Sequence, residues 1–142
     1  RGARTVKAAA FWQAYRKMDL APDELLVAVH LPAPAAGDHT HYRKVGTRLA
    51  QAISKVVLGA RVRLEAGVVT EARVAYGSVA ATPVRCPHTE TALLGRRVGE
   101  LAGAAGHVAQ DIHPIDDVRS TAEYRREVAA RVLRGWLVSL TG

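Results

Sequence analysis

Apolar and polar positions alternate most clearly between residues 56 and 76. Val56, Leu58, Ala60, Val62 and Leu64 alternate with Val57, Gly59, Arg61 and Arg63. A period of two sends successive side chains to opposite faces, so residues 56–64 predict a half-buried strand. Glu65, Ala66 and Gly67 follow as a tight hairpin connection, with Gly67 free to take a positive φ. Residues 68–76 return, with Val74 and Tyr76 on one face and Glu71 and Arg73 on the other. Residues 79–85 predict a third strand, and Pro83 holds it to an edge because proline has no N–H for a ladder. The three make a meander.

Upstream the periods are shorter. Residues 4–7 predict a short strand, and residues 8–16 a helical turn carrying Phe11, Trp12 and Tyr15. Residues 20–24 carry turn chemistry, with Pro22 fixing φ and Asp23 able to bond the following backbone. Residues 25–31 are apolar and rich in β-branched side chains, a strand ended by Pro32. Residues 32–39 form a loop, and residues 40–47 a further strand.

Downstream the period lengthens. Residues 89–94 predict a short helix stopped by Gly95, and residues 98–111 an alanine-rich helix despite Gly103 and Gly106. Ser120, Thr121, Ala122 and Glu123 spell a capping box, the serine satisfying a free amide and the glutamate reaching back. Tyr124, Val128, Val132, Trp136 and Leu140 then recur every fourth residue beside Leu133 and Leu137, an amphipathic stripe with Arg125, Arg126, Arg131 and Arg134 largely off it. Strands first and helices after predict an α+β sandwich: an antiparallel sheet with helices packed on one face.

Composition narrows the class. A chain of 142 residues that is 49% hydrophobic and 23% charged suits a single domain, residues 1–142, with a core of its own. No apolar run approaches the roughly 20 residues that span a bilayer, so no membrane partner is expected. The single Cys86 excludes an internal disulfide and a multi-cysteine metal site. A cytoplasmic location is expected from that cysteine usage, with no signal or transit pattern visible. The chain starts at Arg1, its sole methionine is Met18, and its first residues read like the middle of a protein, so functional residues are expected upstream. The net charge of +7 permits an acidic partner or a nucleic acid. Arginine, alanine and valine abundance also follows from GC-rich coding, which raises the pI without any function.

Catalytic motifs are missing. No Walker A sequence, no G-x-G-x-x-G after a strand, no G-x-S-x-G and no H-E-x-x-H occurs. His39 and His41 could ligate a metal only with a third group such as Asp38. Solvated loop histidines are the plainer reading, so no metal site is expected. Cys86 reads as a buried or tolerated thiol. Asp116 and Asp117, just before the last helix, read as loop-ordering carboxylates that complement the helix dipole, with Arg119 as a salt partner. No catalytic residue is expected.

Three segments together carry a resemblance. They are FWQAYRKMDLAPDELLVAVHLP at residues 11–32, YRKVGTRLAQAISKV at residues 42–56 running into the meander with GSVAATPVR, and PIDDVRSTAEYRR at residues 114–126. In this order and spacing they resemble the C-terminal part of the FAD-binding subunit of molybdenum hydroxylases. That family includes xanthine dehydrogenase, aldehyde oxidase and the medium subunit of aerobic carbon monoxide dehydrogenase. The QAISKV portion looks closer to the xanthine dehydrogenase small subunit.

The resemblance implies an oxidoreductase component. Electrons from a molybdopterin site pass through iron–sulfur clusters to FAD and then to an acceptor, with molybdopterin-binding and iron–sulfur subunits or domains as partners. It implies that Leu26 lies against the flavin and that Lys44 contacts the flavin site. An aliphatic side chain can pack on the ring system, and a lysine can stabilise negative charge on the reduced flavin or on phosphate. On the residues alone, Leu26 reads as core and Lys44 as a solvated strand charge. The family's glycine-rich loops for the FAD pyrophosphate lie in a preceding domain, and nothing here matches them. The chain alone should therefore bind FAD weakly or not at all, closing one side of the site and helping to dock neighbouring subunits. The alternative is a basic α+β interaction or nucleic-acid-binding module, using the arginines of the last helix.

Overall fold

The computed structural model describes residues 2–49 and 51–141. The chain divides into two compact units, Arg1–Pro34 and Ala35–Gly142.

The second unit is the α+β sandwich that the hydrophobic pattern predicts. Its antiparallel sheet has the order β3 (Asp38–Gly46), β4 (Ser54–Glu65), β5 (Val68–Gly77), β6 (Val84–Arg85). The β4–β5 hairpin closes through Ala66 and Gly67, both at positive φ (50° and 76°), as a two-residue turn matched to strand twist requires. Val56, Leu58, Val62, Val74 and Tyr76 are buried on one face. Onto that face pack α2 (Pro87–Leu93), a 3₁₀ segment (Val98–His107), α3 (Val108–Asp111) and α4 (Ala122–Ser139). Tyr76 crosses the interface and donates its hydroxyl to the Ala129 carbonyl at 2.8 Å. Burial pushes that phenol's pKa up, so it stays a neutral donor.

The opposite sheet face is polar. Asp38, Arg61, Arg63, Glu71 and Arg73 share it, as their cross-strand register requires. The Asp38 carboxylate is shielded from solvent and accepts from Arg61 (3.1 Å), Arg63 (3.0 Å) and the Ala35 amide (2.9 Å). Arg61 also pairs with Glu71.

Several elements depart from expectation. The strand expected at residues 79–85 shrinks to β6, because Ser78 at φ 66° turns the chain out of the sheet and Pro83 offers no N–H. Residues 98–107 wind as 3₁₀ rather than α, where Gly99, Gly103 and Gly106 weaken the α preference. The α4 cap is Thr121, not Ser120: its hydroxyl accepts the Tyr124 amide at 3.2 Å. The stripe of α4 is rotated, too. Its buried line is Arg125, Ala129, Leu133, Trp136 and Leu137, so Arg125 lies inside and Tyr124 outside.

The first unit holds α1 (Ala8–Phe11) and a small hairpin, β1 (Trp12–Ala14) with β2 (Lys17–Met18), turning through Arg16 at φ 57°. The helical turn expected over residues 8–16 therefore stops at Phe11, which packs edge-on against Trp12 at 5.1 Å between ring centres. Residues 4–7 are not a strand. Arg4 is fixed by its side chain instead, with Asp19 at 3.0 Å and Glu24 at 2.7 Å. The expected turn at residues 20–24 is present, and the Glu24 carboxylate accepts the Ala21 amide at 2.8 Å. Residues 25–31, expected as a strand, form no regular secondary structure, and their main chain pairs with nothing among the described residues. None of the described residues up to Pro34 is fully buried.

Candidate functional site

Register on β3 places Lys44 opposite Val57, on the sheet face that the helices leave open, and its side chain is exposed. The ladder is irregular between Val45 and Gly46, and a loop over residues 47–53 then returns the chain to β4. The loop packs closely on Gly46. A Cβ on it would come within 3.3 Å of the Ala52 Cβ and 3.5 Å of the Arg48 carbonyl, tighter than or at the edge of ordinary contact. Arg48 staples the loop by donating from Nε (3.1 Å) and Nη2 (2.5 Å) to the Gln51 carbonyl, with Gln51 at φ 49°.

The result is an open cleft of about 540 Å³ lined by Arg43, Lys44, Gly46, Thr47, Arg48 and Ala52. Three cations border it. Among the described residues, Arg43 and Lys44 form no ion pair, so their charge is available to a ligand. Sequence reasoning singled out Lys44 but passed over Arg43 and Gly46. The signal was Arg-Lys-Val-Gly-Thr-Arg, three cations around a glycine in six residues.

A hydrogen-bonded chain supports the same end of the sheet. The Ser54 and Ser78 hydroxyls lie 2.8 Å apart, and Arg125 donates from Nη1 to the Ser78 carbonyl at 3.0 Å. Arg125 Nη2 reaches Asp117, which also accepts the Arg119 and Ser120 amides. The Arg125 guanidinium and those amides hold the Asp117 pKa below the usual carboxylate range. Asp116 accepts the Ala122 amide at the start of α4. Both carboxylates thus order the loop and the helix start.

The other candidates resolve into structure. Cys86 is fully buried, and its thiol is pushed up to about 12, first by burial and then by Asp111. Asp111 accepts the His88 and Thr89 amides and the Thr89 hydroxyl, so it caps α2. His41 stacks on Trp136 with ring centres 5.4 Å apart and planes 9° from parallel. Asp38 is held by Arg61 and Arg63, and no group of three metal-ligating residues occurs among the described residues. The arginines of α4 are partly used up: Arg125 is internal and Arg131 pairs with Glu127 at 2.5 Å. No helix among the described residues is long and apolar enough to cross a membrane. Leu26 lies in the first unit, exposed, and Lys44 in the second.

A family model of the CO dehydrogenase flavoprotein C-terminal domain matches residues 40–139. The chain belongs to this family. It is 35% identical over 130 residues to the xanthine dehydrogenase FAD-binding subunit of Escherichia coli O157:H7, covering 88% of this chain and 44% of that one. It is 31% identical over 138 residues to the carbon monoxide dehydrogenase medium chain of Afipia carboxidovorans, covering 94% and 46%. Among solved structures, carbon monoxide dehydrogenase from Hydrogenophaga pseudoflava superposes with a TM-score of 0.85 at 28% identity, over 93% of this chain and 46% of that one. The chain spans less than half the length of these relatives. The family domain is thus the C-terminal domain of the FAD-binding subunit of molybdenum hydroxylases, and the relatives are subunits of Mo- and FAD-containing oxidoreductases.

Proposed function

We propose that this chain forms one wall of the flavin site in the FAD-binding subunit of a molybdopterin-dependent dehydrogenase. The carrying observation is the cleft at the end of β3, where Lys44 is exposed beside Arg43 and Arg48 and forms no ion pair among the described residues.

The residues fit one end of FAD. The cationic rim suits an anionic phosphate or a ring that gains negative charge on reduction. The close approach at Gly46 leaves the loop backbone near the surface. No glycine-rich phosphate loop is present in the sequence, so the pyrophosphate needs amides from elsewhere in the subunit. FAD, when bound, accepts electrons singly or in pairs and passes them on, and the protein contributes orientation and electrostatics. Lys44 would place a positive charge at the site and favour the more negative form of the cofactor. Leu26 would supply an apolar surface for the ring and exclude water from it. Arg48, tied to Gln51, would keep the cleft's lip in place.

In this reading electrons reach FAD from the molybdenum centre through iron–sulfur clusters carried by partner subunits, in the cytoplasm. Titration of the complete subunit with FAD tests it. Lys44→Ala and Leu26→Ala are each expected to weaken binding about five- to tenfold, about 1–1.4 kcal/mol. Lys44→Arg should restore most of the loss at that position. Unchanged affinity in both alanine variants would remove the two residues from the site.

A further inference from the structure

We infer that Arg125 is a positioning residue for the cleft at the end of β3, holding the cleft's loop in place through Ser78 and Ser54. The inference rests on the flavin reading of that cleft and names a residue outside it on which binding depends.

Left-handed backbone is the starting point. Among the described residues, Arg16, Gln51, Ala66 and Ser78 have a positive φ without being glycine. Arg16 and Ala66 lie in two-residue hairpin turns, which call for that conformation. Gln51 (49°) and Ser78 (66°) lie in no such turn. A side chain disfavours this conformation, so it persists only where the surroundings impose it. At both positions an arginine grips the residue's own carbonyl. Arg48 donates to the Gln51 carbonyl from Nε (3.1 Å) and Nη2 (2.5 Å), and Arg125 donates to the Ser78 carbonyl from Nη1 (3.0 Å).

Ser78 in turn meets the base of the cleft. Its hydroxyl lies 2.8 Å from that of Ser54. Ser54 is the cross-strand partner of Gly46, at the irregularity in the β3–β4 ladder. It is therefore the residue at which the loop over residues 47–53 rejoins the sheet, opposite the glycine on which Ala52 and Arg48 pack. Lys55, the next residue, places its Nζ 5.0 Å from the centre of the Tyr124 ring. The first turn of α4 thus reaches the start of β4 by two routes, one through Tyr124 and one through Arg125.

The far end of the link is anchored as well. Arg125 Nη2 donates to Asp117 at 2.5 Å, and Asp117 also accepts the Arg119 and Ser120 amides. The forked guanidinium reaches a carboxylate and a carbonyl together, a geometry that a lysine does not copy. Arg125 is 4% exposed, and its Nε has no hydrogen-bond partner. A buried guanidinium with an unsatisfied N–H is costly, and an apolar side chain avoids that cost, so stability alone does not account for it.

Local hydrogen–deuterium exchange and FAD titration, both on the complete flavoprotein subunit, test the inference together. Ser54→Ala cuts the link without touching a charge, and Arg125→Lys keeps the charge but loses the fork. Each is expected to speed exchange at residues 47–49 and 51–53 about tenfold, with the β4–β5 turn unchanged. Each is also expected to weaken FAD binding about three- to tenfold. Ser54→Thr, which keeps the hydroxyl, should match the unaltered subunit in both measurements. If Arg125→Lys speeds exchange throughout the domain, Ser54→Ala decides. Unchanged loop exchange in Ser54→Ala overturns the inference, and so does faster loop exchange with undiminished FAD affinity. Lys44→Ala and Leu26→Ala, titrated alongside, keep the two readings apart. If either of them weakens binding and Ser54→Ala does not, only the positioning role falls. If neither does, the flavin reading falls and takes the positioning role with it.

Discussion

Asp38 shows how one carboxylate couples the sheet to pH. Its pKa is lowered from 3.8 to about 2, first by the Ala35 amide and then by the Arg63 guanidinium. A carboxylate whose folded pKa lies below its unfolded value stabilises the fold above the unfolded value. That contribution is lost as pH falls toward the folded one. Stability contributed by Asp38 is therefore complete above pH 4 and disappears between about pH 4 and pH 2. Asp111 and Asp117 shift in the same direction, so their contributions too are lost as pH falls below the ordinary carboxylate value. In Asp38→Asn, thermal unfolding should occur at lower temperature near neutrality, and the midpoint should depend less on pH across that window. An unchanged pH slope would mean that the Arg61 and Arg63 pairs are not maintained in solution. Asp38 also illustrates a limit of reading residues singly. Beside His39 and His41 it looks like a metal ligand, and only the register opposite Arg63 shows that its charge is already matched.

At the level of elements, turns decide more than propensities do. Ala66 occupies a left-handed conformation at φ 50°, where a Cβ is strained by about 1–2 kcal/mol. Ala66→Gly relieves that strain and should raise the stability of the chain by up to about 1 kcal/mol, measured by denaturant unfolding. A loss of stability would show that the turn is not the two-residue type. The β4–β5 hairpin was legible because alternation, a glycine and a complementary return strand all lie within one stretch of chain. The rotation of α4 was not. Its fourth-residue repeat predicts the stripe through Tyr124 and Val128, whereas the buried line runs through Arg125 and Ala129. The Arg125 guanidinium finds Ser78 and Asp117 far away in sequence, and no local pattern announces partners 47 and 8 residues distant. Residues 25–31 present the converse case. Their composition is that of a strand, but a strand exists only when another pairs with it, and the described residues supply none. Lys44 was reached through the family resemblance. The cleft around it needed the fold of the loop over residues 47–53, which no periodicity encodes.

On the scale of the molecule, burial is unequally shared. Every buried hydrophobic residue of the core cluster belongs to the second unit, from Val56 to Leu137. A fragment beginning at Ala35 should therefore fold by itself and unfold at the same temperature as the whole chain within a few degrees, followed by circular dichroism. A marked drop in its midpoint would mean that the first 34 residues contribute to the core after all. The matched family region, residues 40–139, lies wholly inside the second unit. Fold class was legible at this scale because the order of strands and helices survives local errors. The partition was not, since residues 11–32 carry as many apolar side chains as a core segment would.

The two tryptophans fall on either side of that partition. Trp12 is 43% exposed in the first unit, and Trp136 is 7% exposed in the second, against the His41 imidazole. Their indoles therefore differ in their access to water, one half-exposed and the other almost wholly buried. From that difference in exposure the Trp12 emission is expected to lie to the red of the Trp136 emission, so each indole should report on its own unit without a label. Covering of the first unit by the rest of a subunit would register as a blue shift of one component while the other held still.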